Sequence, residues 1–543
     1  MKKLIKQILR FKFIIFLTFI VFLSVKPLIH AGFPPTHDGE YHVIRFYQFD
    51  KAIHDGDFYP RWAKDLNNGY GVPLFNYVYP FPNYAASFFH IFGASFIDAF
   101  KLNLIFATLI GVIFFYLWTK LYFDSSAAVT AAVFYCFTPY RFVDIYVRGS
   151  VGEVWALAWF PAFLWAITIL IKNKKTNYVI WSGIFFALTI FSHNILGLMF
   201  AGFGFFYVLF CIWIFKARKR LAYLTFFSFI LGLCLSAVFW LPALIETRFV
   251  QNLQIYNVNE HFAEIYQLII PSWGTGFSEQ ALGNQMSLQI GIANLIAVFL
   301  GLILLIRTRY IFFIAWFIIV VFLILGISKP IWHAIPILNY FQFPWRFLSL
   351  IMVLSAFITG AVIDKITRKK LKLIVSSIFI FLSVILSISY TYPAYYHNRN
   401  DSHYLNRDNF IHGTNSPGDL FNTVWINKKP SIKEKRVEIA KGKGEINVID
   451  SKTSNLKFTI KNDTEVEVLV NIAYFPGWEL KIDEKKTMLK KTNQGAMSFS
   501  VSKGKHSVEI QFGDTIIRRI GAAISLLSII LCIGFFLKKK LKI

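Results

Sequence analysis

A short polar motif lies directly after the first hydrophobic run of the chain and contains side chains that could carry out chemistry. It reads His37-Asp38-Gly39-Glu40-Tyr41-His42. Asp38 and His42 are four residues apart, so a helix would place both on one face. A carboxylate can act as a general base, and carboxylates with imidazoles can bind a divalent metal such as Mg²⁺ or Mn²⁺. Because charged groups are costly in hydrocarbon, a cluster at the membrane rim indicates a functional site.

The same motif also has structural interpretations. Asp38 could cap a helix, and Glu40 could complement the dipole of that helix. Apolar residues at 43, 46, 47, 49 and 53 predict an amphipathic helix over residues 43–53 that lies along the membrane surface. A metal site of Asp38, Glu40 and His42 has suitable ligand types, but a short linear cluster does not define its coordination geometry. The sequence leaves these interpretations open.

Arginines on the predicted outer side form a second group of candidates. Arg141, Asp144 and Arg148 precede Glu153 at the start of the fourth hydrophobic run, and Arg346 stands at the rim of the tenth. The guanidinium group is well suited to fork-like contacts with phosphate. The alternatives are buried pairs, Arg141 with Asp144 or Arg148 with Glu153, and an Arg346 side chain that snorkels to the interface.

Aromatic residues in irregular segments could contact a sugar or a lipid. Residues 69–84 are rich in aromatics, Pro and Gly, and proline excludes a regular helix there. Their rings could stack on sugars or hold a lipid chain, or they could simply anchor the chain at the interface. Residues 474–478 offer a similar choice between a sugar platform and a hairpin with a core tryptophan. His193-Asn194, between two hydrophobic runs, is interpreted as a packing pair.

The composition indicates a polytopic membrane protein. Hydrophobic residues make up 56% of the 543 residues, and the mean hydropathy is +0.53, which is more apolar surface than a soluble protein can bury. The net charge of +26 does not indicate nucleic-acid binding, because Lys and Arg fall in short clusters between apolar runs. The four cysteines all lie in apolar runs, which excludes a disulfide framework in the polar C-terminal region.

Twelve apolar runs of spanning or near-spanning length are predicted. They lie at about 11–30, 100–122, 125–140, 151–171, 177–193, 194–215, 221–243, 287–306, 310–327, 346–363, 372–391 and 516–537. With the N-terminus in the cytoplasm, nearly every dense basic cluster near a run falls on the inner side, as the positive-inside rule requires. We therefore expect a multi-pass protein of the plasma membrane with an uncleaved N-terminal anchor, cytoplasmic termini and an extracytoplasmic site.

The runs and loops predict three regions. Residues 1–391 form a helical transmembrane domain with a large first outer loop at 31–99. Residues 392–515 form an extracytoplasmic domain whose alternating segments, such as Leu456-Lys457-Phe458-Thr459-Ile460, predict β-strands in a small sandwich or jelly roll. Residues 516–543 form a last transmembrane helix with a basic cytoplasmic tail.

Together these motifs resemble the GT-C superfamily of membrane glycosyltransferases, which carries an acidic motif in the first outer loop after the first span. The closer resemblance is to the bacterial 6-pyruvoyl-tetrahydropterin synthase-related membrane proteins, and residues 474–478 look like a turn of YfhO-type relatives. The closer resemblance is carried by the motifs Thr36 to His42, Tyr59-Pro60-Arg61-Trp62, Gly69 to Asn76, Arg148-Gly149-Ser150-Val151-Gly152-Glu153 and Phe343-Pro344-Trp345-Arg346-Phe347. The family label does not imply pterin synthesis, since the zinc-binding histidine set of a soluble pterin-forming enzyme is not supplied here.

The resemblance implies a helical GT-C-like fold and roles for particular residues. Asp38 takes the place of the superfamily's first-loop acid, which acts as catalytic base or metal ligand. Glu153, or Asp144, stands in for a second acid, and Glu40 is a further catalytic candidate because Asp-Gly-Glu stands where some relatives have adjacent acids. The expected substrate-binding residues are His37, His42, Arg61, Tyr70, Asn76, Arg141, Asp144, Arg148 and Arg346.

The expected activity is transfer of a sugar from a polyprenyl-phosphate donor, the donor type that the resemblance implies, to an envelope glycan, lipid or wall polymer. Asp38 would deprotonate the acceptor hydroxyl, and the phosphate leaving group would need no general acid. The expected mechanism therefore uses one base and inverts the configuration at the anomeric carbon, whereas glycosidases use two carboxylates. The alternatives are a transporter or flippase of polyprenyl-linked glycans and a non-catalytic scaffold for envelope assembly.

Overall fold

The computed structural model describes residues 2–251, 256–278, 283–406, 412–428, 430–432 and 435–540. In the first and last helices, side chains are described only from residue 11 onward and up to residue 537. The last three residues of the predicted segment 516–543 lie outside the described residues. The chain forms two compact units, each built from three stretches: Met1–Gly39, Phe100–Leu235 and Tyr256–Asn398 in the first, and Glu40–Ala99, Ser236–Ile255 and Arg399–Ile543 in the second. The predicted domain boundaries at 391 and 515 remain a prediction.

The first unit is helical. Its α-helices are α1 (Lys2–Val25), most of α4 (Phe96–Thr119), α5 (Ser125–Cys136), α6 (Pro139–Phe142), α7 (Val151–Lys172), α8 (Tyr178–Ser192), α9 (Asn194–Ile214), α10 (Lys219–Leu235), α12 (Ile265–Ile269), α13 (Ile292–Leu304), α14 (Ile311–Ile324), α15 (Lys329–Ala334), α16 (Leu348–Asp364) and α17 (Lys369–Ile385). Helices α7 and α16 lie at the centre of this unit, since nearly all of their residues are buried. An all-round apolar sequence suits a helix in that position.

The prediction of a polytopic helical membrane fold is confirmed. In the described part of the chain, seven helices are long and apolar enough to cross a membrane, or eight if α10 and α11 (Ala237–Ile245), which meet at a 68° bend, count as one span. Four shorter apolar helices, α5, α8, α13 and α14, coincide with further predicted runs. Each predicted run thus coincides with a helix, but the number of twelve spans remains a prediction.

The second unit combines helices with β-strands. Its helices are α2 (Gly39–His54), α3 (Phe81–Ile91), α11, α18 (Asp401–Leu405) and α19 (Ile516–Lys540). Its strands are β1 (Val437–Lys441), β2 (Gly444–Ser451), β3 (Asn455–Asn462), β4 (Val466–Ala473), β5 (Trp478–Ile482), β6 (Lys485–Thr487), β7 (Lys490–Lys491), β8 (Ala496–Val501) and β9 (Gly504–Phe512). They form two antiparallel sheets, in the orders β1-β4-β8-β7 and β2-β3-β9-β5-β6.

The β-rich region predicted before the last helix is therefore confirmed. Strand β3 alternates as the sequence predicts, with Leu456, Phe458 and Ile460 fully buried. Trp478 is also buried, and it opens β5 directly after the Pro476-Gly477 turn. Residues 474–478 are thus a turn with a core tryptophan and not an exposed platform for a sugar.

The first outer loop supplies part of the same core. The Trp62 ring is fully buried and makes an edge-to-face contact with Trp478 at 5.4 Å between ring centroids. Gly71 has φ +73°, and a Cβ there would lie 2.2 Å from Nε1 of Trp62. The position therefore requires glycine for both its backbone conformation and the close approach of the indole. The aromatic segment around Gly71 packs inside the protein.

Helix α2 bears on one expectation from the sequence. The helix over residues 43–53 is present, but Val43, Phe46 and Phe49 are buried. Phe49 packs edge-on against Phe75, at 5.0 Å between ring centroids. Protein therefore covers the apolar face that an interfacial helix would turn towards lipid, while the position of the helix along the membrane surface stays a prediction.

A buried carboxylate links distant segments of the second unit. Glu246 is 2% exposed, and its Oε2 accepts hydrogen bonds from Nε of Arg518 at 3.1 Å, Nη2 of Arg518 at 3.0 Å and Nδ2 of Asn76 at 2.9 Å. Its Oε1 accepts from Oγ1 of Thr515 at 2.7 Å. One carboxylate thus holds the first outer loop, the segment after α11 and the start of α19. Its burial is tolerated because cationic and neutral donors surround it.

We predict that Glu246→Gln lowers the stability of the protein strongly. The variant leaves Arg518 buried without its anion, a defect that typically costs about 3–5 kcal/mol. The measurement is the free energy of unfolding of the purified full-length protein, by denaturant titration in detergent. The matched control is Glu467→Gln, whose partner Lys441 is 82% exposed, so a change below about 1 kcal/mol is expected. Equal losses in the two variants would contradict the role assigned to Glu246.

Candidate active site

The start of the acidic motif is fixed by backbone hydrogen bonds within the first unit. The N–H of His37 donates to the Val147 carbonyl at 2.9 Å, and the N–H of Asp38 donates to the Arg148 carbonyl at 2.8 Å. Val147 and Arg148 end a π-helical turn over Val143–Arg148, after which Gly149 turns the chain with φ +64°. The motif therefore lies beside the segment that carries the predicted arginines.

Two glycines allow this close approach. A Cβ on Gly149 would lie 2.3 Å from Oγ1 of Thr36, and a Cβ on Gly39 would meet the same oxygen at 2.3 Å. Both positions also face the ring of Phe100 at 3.1 Å. Contacts below 3 Å are excluded for real side chains, so larger residues would force residues 36–39 away from the Arg148 segment.

The Asp38 side chain is partly exposed. Among the described residues, no hydrogen bond or ion pair engages its carboxylate. The N–H of Gly39, in the first turn of α2, instead donates to Oγ1 of Thr36 at 3.1 Å. The structure thus shows no helix cap by Asp38, and the carboxylate remains available to a ligand.

His37 is fixed by its ring. Its Nε2 lies 2.8 Å from the Thr275 carbonyl, and the ring stacks on Phe277 with 5.0 Å between centroids. With a carbonyl as the partner, Nε2 carries the proton, so Nδ1 is the acceptor in the neutral ring. His37 therefore lies in the first unit together with Asp38 and the arginine segment.

Arg148 organises a buried charge cluster in the same unit. Its Nη1 donates to Oδ1 of Asp144 at 2.6 Å, and its Nη2 donates to Oε1 of Glu153 at 2.7 Å. Both carboxylates are fully buried. The guanidinium lies 4.8 Å from the ring centroid of Trp345. The predicted pair of Arg148 with Glu153 is therefore present, with Asp144 as a second partner.

Arg346 completes the cluster. Its Nε donates to Oε1 of Glu153 at 2.8 Å, and its Nη1 donates to the Phe341 carbonyl at 2.9 Å and to Oε1 of Gln342 at 3.0 Å. Arg346 is 6% exposed, so it is a buried partner and not a snorkelling side chain. One oxygen of Glu153 thus accepts hydrogen bonds from two guanidinium groups.

Arg141 is not paired with Asp144 as one interpretation of the sequence suggested. Its Nε donates to the Tyr135 carbonyl at 3.1 Å, and its guanidinium lies 4.5 Å from the Tyr135 ring centroid. Both Nη atoms are buried and find no hydrogen-bond partner in the described part of the chain; the same holds for Oδ2 of Asp144. Buried donors and acceptors of this kind normally receive a partner, such as water or a ligand.

His193 supports the packing role expected for it. Its Nδ1 accepts a hydrogen bond from the N–H of Leu196 at 3.2 Å and caps α9. Its Nε2 lies 3.9 Å from Oε1 of Glu153, too far for a hydrogen bond.

Glu40 and His42 lie in the second unit. Oε1 of Glu40 accepts a hydrogen bond from Nη1 of Arg399 at 2.9 Å. His42 is 3% exposed and stacks on Phe46 with 5.8 Å between ring centroids. Within the described residues, no group of three or more His, Cys, Asp or Glu side chains could hold a metal ion. The metal site predicted from Asp38, Glu40 and His42 stays a prediction.

The remaining three predicted residues have structural partners in the second unit. Nη1 of Arg61 donates to Oδ1 of Asn76 at 2.9 Å, which places both side chains in the Glu246 network. The Tyr70 hydroxyl donates to Oδ1 of Asn471 at 3.2 Å. These contacts fix the first outer loop on the β-sandwich. Sequence reasoning missed Glu246 and Arg518, although ionisable residues beside apolar runs were a usable signal for both.

We predict that Gly149→Ala displaces residues 36–39 and destabilises the protein. Alanine at φ +64° with a blocked Cβ combines backbone strain with a clash against Thr36, which should cost about 1–3 kcal/mol. The control is Gly202→Ala in α9, where a Cβ meets nothing within 4 Å and helix propensity favours alanine by about 0.5–1 kcal/mol. Thermal unfolding of both variants in detergent measures the difference. A Gly149→Ala protein as stable as the Gly202→Ala protein would show that the close approach is not required.

A search of solved structures finds partial similarity to membrane enzymes at low sequence identity. The oligosaccharyltransferase of Archaeoglobus fulgidus in the apo form has 14% identity and a TM-score of 0.45 over 73% of this chain and 57% of that one. The arabinofuranosyltransferase AftD from Mycobacteria has 14% identity and a TM-score of 0.48 over 74% of this chain and 29% of that one. The complex of the Archaeoglobus fulgidus oligosaccharyltransferase AglB with an inhibitory peptide and a dolichol-phosphate has 13% identity and a TM-score of 0.43, over 77% and 61%. The chain thus spans less than two thirds of each relative's length.

Two family models match the sequence, and no curated protein does. Residues 429–525 match the model described as bacterial membrane protein YfhO. Residues 75–395, more than half of the chain, match the model described as 6-pyruvoyl-tetrahydropterin synthase related domain, membrane protein. Both matches confirm the resemblances stated from the motifs. This chain therefore belongs to the family of 6-pyruvoyl-tetrahydropterin synthase-related membrane proteins.

Proposed function

We propose that this protein is a membrane glycosyltransferase that moves a sugar from a polyprenyl-phosphate donor to an extracytoplasmic envelope acceptor. The acceptor is a glycan, lipid or wall polymer, and Asp38 is the general base. The observation that carries the proposal is the environment of the Asp38 side chain. Its carboxylate is partly exposed and unengaged by the described residues, while its N–H is fixed to the Arg148 carbonyl at 2.8 Å. A general base needs a free carboxylate at a defined position.

The reaction is an inverting displacement at the anomeric carbon. The acceptor hydroxyl oxygen forms a bond to this carbon while the bond to the donor phosphate oxygen breaks. The electron pair of that bond leaves with the polyprenyl phosphate, and the hydroxyl proton moves to Asp38. The leaving phosphate is already acidic, so the step needs one base and no general acid.

The charge that grows on the leaving phosphate needs cations. Arg141, Arg148 and Arg346 supply three guanidinium groups in the unit that contains Asp38. Both Nη atoms of Arg141 lack partners among the described residues, so they offer donors for phosphate oxygens. Such preorganised donors stabilise developing charge strongly in a site of low dielectric constant.

Glu153 and Asp144 serve as positioning residues in this proposal. Glu153 is fully buried and holds both Arg148 and Arg346. Asp144 binds the remaining terminal nitrogen of Arg148. The step is written with the arginines as the source of positive charge; in the described residues Glu40 is engaged by Arg399 and His42 is buried.

The proposal requires the acidic motif and the β-sandwich outside the cell. We expect a cysteine at Lys503, an exposed position beside β9, to react with a membrane-impermeant maleimide in intact cells. A cysteine at Lys174, in a basic loop between α7 and α8, should react only after permeabilisation, since basic loops stay inside. The unsubstituted protein is the background control, because its four cysteines are buried or half-buried. The opposite labelling pattern would overturn the proposed orientation.

We predict that Asp38→Asn abolishes sugar transfer without unfolding the protein. Loss of the base should lower kcat by about 10²–10⁴-fold, with little change in KM. The assay follows a labelled sugar from a synthetic polyprenyl-phosphate donor to an envelope extract, with the full-length protein in lipid nanodiscs. Asp463→Asn, at an exposed position between β3 and β4, is the matched control and should retain activity.

The same assay separates the alternative functions. Unchanged transfer by Asp38→Asn, with normal membrane insertion and melting temperature, would remove Asp38 from the mechanism. Movement of the labelled lipid between leaflets without transfer would instead indicate a flippase. Glu153→Gln should lower transfer by shifting the arginines, and its effect on KM for the donor should exceed that of Asp463→Asn.

A further inference from the structure

A cation-lined cavity lies within the second unit, between the first outer loop and the β-strands. It has a volume of about 80 Å³ and is lined by Lys64, Asp65, Asn68, Gly69, Lys435, Arg436 and Asn471. Three lining side chains are basic and one is acidic. The acid, Asp65, is already engaged by Nζ of Lys51 at 2.7 Å. The cavity therefore has an excess of positive charge.

Arg436 is incompletely partnered in this cavity. Its Nη1 donates to the Lys452 carbonyl at 2.9 Å and lies 3.4 Å from Oγ of Ser451. Its Nε and Nη2 are buried and make no hydrogen bond to the described residues. Burial lowers the pKa of Arg436 to about 10, so it remains charged at neutral pH. Nε and Nη2 of one guanidinium form a fork that suits an oxyanion.

Lys64 brings a second cation to the same place. Its Nζ donates to the Ser451 carbonyl, so both cations are anchored on consecutive residues. Burial, followed by the nearby charge of Arg436, lowers the pKa of Lys64. The carboxylates of Asp65 and Asp55 offset part of the repulsion between the two cations, and a bound anion would offset more of it.

The other lining groups fit a ligand with both an anionic and a hydroxyl group. Oδ1 of Asn68 is buried without a hydrogen-bond partner in the described part of the chain, and it can only accept. Gly69 has φ +83°, and a Cβ there would meet nothing within 4 Å, which leaves room for the ligand. An acceptor beside two cations selects an anion that also carries an O–H donor.

We propose that this cavity is a binding site for a phosphate ester, with the phosphate oxygens on Arg436 and Lys64 and a neighbouring hydroxyl on Asn68. Such a group occurs in phosphate-containing envelope polymers and in small soluble phosphate esters. The inference does not rest on sugar transfer, because its residues are separate from Asp38 and the arginine cluster. In combination with that activity, the site would hold a phosphate-bearing acceptor.

The test is the stabilisation of the full-length protein by defined phosphates. The melting temperature in detergent is measured against inorganic phosphate, glycerol 1-phosphate and a glycerophosphodiester, with sodium chloride at matched ionic strength as the reference. We expect each phosphate to raise the melting temperature of the wild-type protein. Arg436→Gln and Lys64→Gln should raise the half-saturating concentration by about tenfold or more, as loss of a charge-assisted hydrogen bond implies.

Controls make each outcome decisive. Lys441→Gln, on β1 with its side chain 82% exposed, should bind phosphate like the wild type. A response to the diester points to a polymer, and a response to the monoesters alone points to a soluble phosphate; both support the site. No stabilisation beyond sodium chloride, or unchanged binding by a folded Arg436→Gln or Lys64→Gln protein, would overturn it. Asp38→Asn should retain phosphate binding, so failure of transfer and failure of this site are separable.

Discussion

An ionised carboxylate that is removed from water must be surrounded by cations and hydrogen-bond donors, and this constraint organises both units of the protein. In the first unit, Glu153 accepts hydrogen bonds from Arg148 and Arg346. In the second unit, Glu246 collects donors from Arg518 and Asn76, among others. Each acid draws together segments that are far apart in the sequence, so each fixes the fold of its own unit.

Asp38 is the contrasting case, and this contrast is the reason for proposing it as the base. The oxygens of Glu153 and Glu246 already accept hydrogen bonds from several donors, so they are not available to an incoming hydroxyl. Asp38 is held in place by the hydrogen bond of its backbone N–H, and its carboxylate makes no hydrogen bond to the described residues. Its position therefore comes from the main chain and from the glycines at 39 and 149, while its side chain stays free for chemistry.

Much of the fold could be predicted from the sequence, because long apolar runs and strand alternation report directly on burial. The alternation around Phe458 and the positions of the apolar helices are examples. The environment of α2 could not be predicted, since an amphipathic pattern shows that one face is covered but not by what. The same limit applies to Arg61 and Asn76, whose residue types suit ligand binding. Arg61 instead binds Asn76, and Asn76 binds Glu246, which lies 170 residues further along the chain.

Part of the predicted site comes together in the first unit, while the other predicted residues, Glu40, His42, Arg61, Tyr70 and Asn76, lie in the second unit. Asp144, Arg148, Glu153 and Arg346 do meet, as their positions at the ends of apolar runs suggest. The division of labour between them could not be derived, because one residue-type pattern fits both a buried pair and a phosphate site. Only the contacts show that Glu153 is shared by two arginines while Arg141 has spare donors.

The charges of this cluster match the proposed reaction in a specific way. The group contains three arginines, Arg141, Arg148 and Arg346, and two carboxylates, Asp144 and Glu153, so its formal surplus is one positive charge. Only Arg148 and Arg346 form ion pairs with these carboxylates. A donor phosphodiester carries about one negative charge, and the leaving phosphate gains a second as the sugar bond breaks. Attraction to the guanidinium groups therefore grows along the reaction, which is the condition for catalysis and not merely for binding. At the same time Asp38 takes up a proton and loses its charge, so its repulsion of the phosphate falls as the phosphate charge rises.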